Sequence, residues 1–185
     1  MTKMMKRLTS VVLLLTVFCT GTAFASGRDS ITTDDLKVIS KKEVPTNVNP
    51  VSFKSDEEAV AYLNQVFSNV DTRSNFDVIA RATNGNATVT TTKVSTGTIS
   101  LKLRYSTSGN GNTGTITSLD PYTTFTGFTL GFDWTENSIG ATISSSGKDV
   151  HVYTDGTLDY YLLIDGLIKL YSRPISMSGD VSVIR

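Results

Sequence analysis

The chain contains one cysteine, Cys19, one histidine, His151, and one tryptophan, Trp134. Each scarcity excludes some chemistry. A lone cysteine forms no internal disulfide, and one histidine cannot assemble a zinc site of several nitrogen and sulfur ligands. Hydrolysis by a serine nucleophile needs a base, and His151 is the only imidazole available. Its nearest carboxylate in sequence is Asp149, and no glycine-flanked nucleophile serine accompanies them; Ser144 to Ser146, before Gly147, reads as a loop. Calcium needs clustered oxygens. Asp155, Asp159 and Asp165 are instead strung along one stretch, with Asp155 and Asp165 expected in turns. Asp133 and Glu136, the nearest approach to a paired-acid glycosidase set, read as solvated loop acids. No catalytic residue, metal site or cofactor is expected. Long apolar runs are missing too. The longest is about eleven residues, Leu8 to Phe18, against the roughly twenty of a membrane-spanning helix, so the mature chain is expected to have no transmembrane anchor.

What is present begins with that run. Lys3, Lys6 and Arg7 precede it, and Ala23-Phe24-Ala25 follows it with small residues where a signal peptidase reads. This is the layout of a cleavable secretory signal over residues 1–25, cleaved after Ala25, and implies a secreted, extracellular product. Cleavage deletes Cys19. It also lowers Lys+Arg from 17 to 14 against 17 Asp+Glu, a net charge of −3. With no basic stripe left in the sequence, nucleic-acid binding is disfavoured.

Residues 26–54 carry sparse apolar side chains, alternating charges, Pro45 and Pro50, and read as a flexible spacer. A globular domain is expected over 55–185. It opens on a helix over 56–70, signalled by a Ser55/Glu58 capping box and acids in the first turn. Ala59, Val60, Leu63, Val66, Phe67 and Val70 form its apolar stripe. From Phe76 the apolar period changes to two. Strands are expected over Phe76–Ala82, Ala87–Val94, Thr98–Ser106, Thr115–Leu119, Thr126–Trp134, Ser138–Ser144 and Val181–Ile184, with a turn at Asn84-Gly85 and a loop over Ser108–Gly114. Asp155-Gly156 and Asp165-Gly166 each sit between alternating runs and predict two type I′ hairpins in one meander, Asp149 to Arg173. That register sets His151 opposite Tyr160, and Tyr160 opposite Tyr171. It gives a core face with Val150, Val152, Tyr161, Leu163, Ile168 and Leu170, and an opposite face rich in aromatics and cations. The fold class is mainly β: an antiparallel β-sandwich or open barrel of about seven to nine strands, with one N-terminal helix packed on it.

The segments Asp133-Trp134-Thr135-Glu136-Asn137-Ser138-Ile139-Gly140, Tyr160-Tyr161 and Asp165-Gly166-Leu167-Ile168-Lys169-Leu170-Tyr171-Ser172 resemble small secreted proteins of Gram-positive bacteria that carry a β-rich domain of unknown function. The resemblance covers the last third to half of the chain. It implies an extracellular location and no activity.

Tyrosine and tryptophan offer large contact area with a polar tip, which suits recognition and sugar stacking. The candidate ligand-binding set is therefore Trp134, His151, Tyr153, Tyr160, Tyr171 and Arg173. Two fates are open for that face: exposure as a binding surface, or cover by the helix stripe. The leading functional expectation is a non-enzymatic binding or interaction module at the bacterial envelope or outside it, with a cell-wall glycan, peptide or protein as partner. The alternatives are a secreted antibacterial or membrane-active protein, suggested by the Thr- and Ser-rich stretch 83–118, and a hydrolase using carboxylates only.

Overall fold

The computed structural model describes residues 30–68, 70–74, 84–95, 97–108, 114–127 and 129–182. The expected signal sequence, the strand expected over Phe76–Ala82 and most of the expected Ser108–Gly114 loop lie outside these residues.

Nine strands and one α-helix are present among the described residues. Strands β1 (Lys37–Ile39), β2 (Val51–Phe53), β7 (Phe132–Ile143), β8 (Asp149–Ile164) and β9 (Leu167–Ser182) form sheet A. Strands β3 (Asp71–Ser74), β4 (Asn84–Val94), β5 (Gly97–Ser108) and β6 (Thr115–Gly127) form sheet B, in that order. Pairing is antiparallel throughout except for β2, which runs parallel to β8. The expected mainly-β, sandwich-like class with a packed helix is the observed one.

Helix α1 spans Asp56–Ser68. The Glu58 amide donates to Ser55 Oγ (3.3 Å), and the Glu58 carboxylate accepts from the Lys54 amide (2.8 Å), so the capping box closes one residue earlier than anticipated. Ala59, Leu63, Val66 and Phe67 are buried, as the stripe required. Lys169 on β9 donates to both Asp56 oxygens at 2.6 Å, which pins the helix start to the sheet.

The β8–β9 hairpin turns at Asp165-Gly166, with φ of 50° and 79°, and pairs Ile164 with Leu167 and Tyr160 with Tyr171 as anticipated. The other Asp-Gly does not turn. β8 runs unbroken for 16 residues through Asp155 and Gly156. A Cβ on Gly156 would collide with the Trp134 ring, so this glycine serves a close approach rather than a reversal. Asn137 is the extra residue of a β-bulge opposite Asp155 and Gly156. Because β8 does not fold back, its even residues share one phase. Val150, Val152, Leu158, Tyr160, Leu162 and Ile164 all face the core, and His151 pairs with Thr142 and Asp180 rather than with Tyr160. The expected strand over Thr126–Trp134 is likewise corrected. Gly127 and Gly131 adopt φ of 98° and 77°, and the chain reverses there between β6 and β7.

Residues 30–54 are no spacer where described. β1 extends the β9 edge at Ile168–Leu170, and β2 joins β8 at Leu162–Ile164, in line with the start of β7. Ile31, Leu36 and Val48 are buried. The Asn64 side chain accepts from the Ile31 amide (2.9 Å) and donates to its carbonyl (3.0 Å), holding the segment to α1. Sparse apolar residues suffice here because Ile31 and Leu36, with Val51 and Phe53 beside them, join a core built by other elements.

That core lies between the sheets at one end of β8 and between sheet A and α1 at the other. Trp134 Nε1 donates to Thr123 Oγ1 (3.0 Å), which in turn donates to the Glu136 carboxylate (2.7 Å), linking β7 to β6. On the other flank Thr90 Oγ1 donates to the Ser178 carbonyl (2.7 Å), where β4 crosses β9 close to Gly179.

Candidate functional site

Strand alternation divides the six aromatic and cationic candidates between two faces. Trp134, Tyr160, Tyr171 and Arg173 point inward; His151 and Tyr153 point outward. Their anticipated common surface assumed a turn at Asp155-Gly156, and a straight β8 removes it.

The inward group meets α1. Tyr160 is 0 % exposed, with its ring 4.1 Å from Phe132 and 6.0 Å from Tyr62. Burial pushes its phenol far above the ordinary value, and the neighbouring Tyr62 hydroxyl adds to the effect. Tyr171 is half-buried with its ring 5.2 Å from Phe67, and the Arg173 guanidinium lies 5.0 Å from the centre of the same ring. Burial raises the Tyr171 phenol, Arg173 lowers it, and Asp35 raises it further. Of the two fates open to the aromatic face, cover by the helix is the one observed for Tyr160.

The outward pair is open. Tyr153 is 42 % exposed; its ring lies over Gly140 and stacks at 6.3 Å on His151. His151 Nδ1 is 2.9 Å from an Asp180 carboxylate oxygen across the strand pair. Asp149, the carboxylate next to it in sequence, is instead bonded by the Ser182 hydroxyl (2.6 Å) and the Ser146 hydroxyl (3.3 Å). Exposure of both partners leaves the His151–Asp180 pair well hydrated. Among the described residues no group of three or more His, Cys, Asp or Glu side chains could hold a metal ion.

A cleft of about 570 Å³ lies where residues 39–50 pass over the outward face of sheet A at the hairpin tip. Val44, Pro45, Val48 and Pro50 line one side, and Leu163, Leu167 and Ile168 the other. The loop wall is shaped by short-range bonds. The Glu43 carboxylate accepts from the Ser40 amide (2.6 Å), and the Val48 amide donates to the Pro45 carbonyl (3.0 Å). Leu167, 52 % exposed, is an open part of the apolar floor. Lys41, Thr46 and Asn49 supply the polar lining, and the side chains of Lys41 and Asn49 have no partner among the described residues. A mostly aliphatic cleft with a few convergent polar groups has the composition and size of a small-ligand or peptide site.

Sequence reasoning missed this site because half of it was read as a spacer. One signal was available: two prolines framing Val48 describe a loop laid down on a surface as readily as a free linker. Comparison with known protein families, with curated proteins and with solved structures returns no match.

Proposed function

We propose that the protein is an exported, non-enzymatic binding module that takes an apolar peptide or small envelope-derived molecule in the cleft beneath residues 39–50. The observation that carries this reading is the cleft itself, whose volume of about 570 Å³ falls in the range of ligand sites and whose walls are mostly aliphatic and proline side chains, with Lys41, Thr46 and Asn49 among them. Stacking of a sugar ring has no support there, since no aromatic side chain among the described residues lines the cleft. Peptide is therefore favoured over glycan as the envelope ligand at this position.

The test is binding to purified cell wall and to its separated peptide and glycan digests. Leu167→Asp places a charge on the open floor, at a position exposed enough to tolerate it. The reading expects peptide-digest binding to fall at least tenfold in Leu167→Asp. Equal binding by the variant and the unaltered protein would discard it.

A further inference from the structure

The cleft offers no ring for stacking, but the open end of sheet A does. Alternation along β8 and β9 turns Tyr153, Asp155, Ser176, Ser178 and Asp180 outward, and all five are exposed. β7 sets a glycine, Gly140, directly opposite Tyr153. A Cβ there would come within 2.5 Å of the Tyr153 Cζ and Oη atoms. The ring therefore leans across the strand pair onto bare backbone instead of standing upright. His151, two residues back on the same face, lies alongside at 6.3 Å with its ring inclined by 28°, and Asp180 holds that imidazole at 2.9 Å. One side of the phenol ring is thus supported, while the residue as a whole stays 42 % exposed.

The neighbours of this ring are short and polar. Ser178 is directly opposite on β9, with Ser176 and Asp180 at the two diagonal positions. The Ser176 and Ser178 hydroxyls have no hydrogen-bond partner among the described residues. Asp155, about 7 Å along β8, accepts from the Ser138 hydroxyl at 3.3 Å, and both it and Asp180 keep lone pairs for a further donor. The outward positions of β7, β8 and β9 carry Asp133, Asp149, Asp155, Asp159 and Asp180 and, among the described residues, no lysine or arginine. Lys148 lies in the loop before β8, and Lys37 stands opposite Leu170 at the hairpin end. Such a face repels a polyanion. It attracts a cation, but aromatic recognition of a cation works best with several rings around the charge, and here one ring is offered from one side. An uncharged pyranose suits both parts of the surface. Its axial C–H groups make a flat apolar face for the ring, and its equatorial hydroxyls point out to the carboxylates and serines at the rim.

We propose that the outward face of sheet A around Tyr153 binds a chain of uncharged, β-linked pyranoses. Tyr153 stacks on one sugar ring, Asp155 and Asp180 accept from its hydroxyls, and Ser176 and Ser178 bond at its edge. The ring is held in place before a sugar arrives, which lowers the ordering cost of binding. This site is independent of the apolar cleft, which lies at the other end of the β8–β9 pair.

The experiment titrates the purified protein by calorimetry with cellohexaose and chitohexaose as uncharged chains, hexagalacturonic acid as an anionic one and hexalysine as a cationic peptide. At least one uncharged chain should bind, with an affinity that changes less than about twofold between about 50 and 300 mM salt. The anionic sugar and hexalysine should each bind about tenfold more weakly or not at all. Tyr153→Ala should lower sugar affinity about tenfold or more, while Tyr153→Phe, which keeps the platform, should stay within about threefold. The Asp155→Ala/Asp180→Ala pair should also lose about tenfold. All three variants change exposed side chains, so their melting temperatures should stay near that of the unaltered protein. Leu167→Asp should bind sugar as the unaltered protein does, which separates this site from the cleft. Binding of neither uncharged chain, hexalysine or hexagalacturonic acid binding as well as the sugars, full affinity in Tyr153→Ala or in the aspartate pair, or a Tyr153→Phe loss equal to that of Tyr153→Ala would overturn the proposal.

Discussion

The two ends of the β8–β9 pair are covered in different ways. At the hairpin end the inward face meets a helix, and the contact is aromatic: Tyr62 and Phe67 against Tyr160, Tyr171 and Phe132. At the open end it meets strands of sheet B, and the contact is small: Thr90 and Val89 against Gly179. Helix backbones stand well off a sheet, so long side chains must fill the gap. A strand crossing another strand can come close only where one side lacks a Cβ. The lesson concerns robustness. The hairpin end depends on a few large side chains, and the open end on the absence of bulk.

Four substitutions would break or sharpen this contrast. Tyr160→Ala, at the centre of the hairpin end, should cost about 3–5 kcal/mol in denaturant unfolding, while Tyr153→Ala on the outward face should stay within about 0.5 kcal/mol. A Tyr160→Ala cost no larger than that of Tyr153→Ala would mean the helix contact contributes little. Gly156→Val lies where the two ends meet and should push the Trp134 ring aside, at about 1–3 kcal/mol with a red-shifted emission from the only tryptophan. Asn64→Ala removes the paired bonds to Ile31 and should cost about 1–3 kcal/mol. Protease sensitivity should then rise within residues 40–50, and amide exchange in β4 and β5 should not change. A uniform rise in exchange would show that the two ends unfold together.

The smallest effect is alkaline. The phenols of Tyr160, Tyr161 and Tyr171 are all raised by burial in the fold. Below the ordinary tyrosine value near 10 both folded and unfolded chains hold these protons, and no penalty arises. Above it the unfolded chain releases them first, so stability falls as pH rises. Tyr160→Phe should flatten this decline between about pH 10 and 12 in a series of thermal melts. An unchanged slope would place the alkaline loss elsewhere.

Much of the hairpin end was legible before the structure. The Ser55 cap, the helix stripe and the Asp165-Gly166 turn are local signals, each with a mechanism that acts over a few residues. The β5 alternation was legible for the same reason, with Ile99, Leu101, Leu103 and Tyr105 buried together. Asp155-Gly156 misled because its glycine answers to Trp134, a residue 22 positions away. Gly127 and Gly131 were hidden by an alternation of Phe and Leu that continues across a reversal. Residues 30–54 were hidden because their partners are Leu162–Ile164 and Ile168–Leu170, far along the chain. The cleft inherits that difficulty, since both walls must be known before a site exists. The candidate aromatic set failed as a single surface for one reason: a one-turn error in β8 inverts which of its side chains face out.

The pairing of β1 with β9 and of β2 with β8 also bears on the order of assembly. The first strands described find their partners in the last two, more than 100 residues later. Loop closure over that span is an entropic cost, of which the Asn64 bonds to Ile31 offset a part by holding the segment to α1. Residues 30–54 can therefore take their places in sheet A only when the C-terminal hairpin is present, and the same pairings complete both the sheet edge and the cleft.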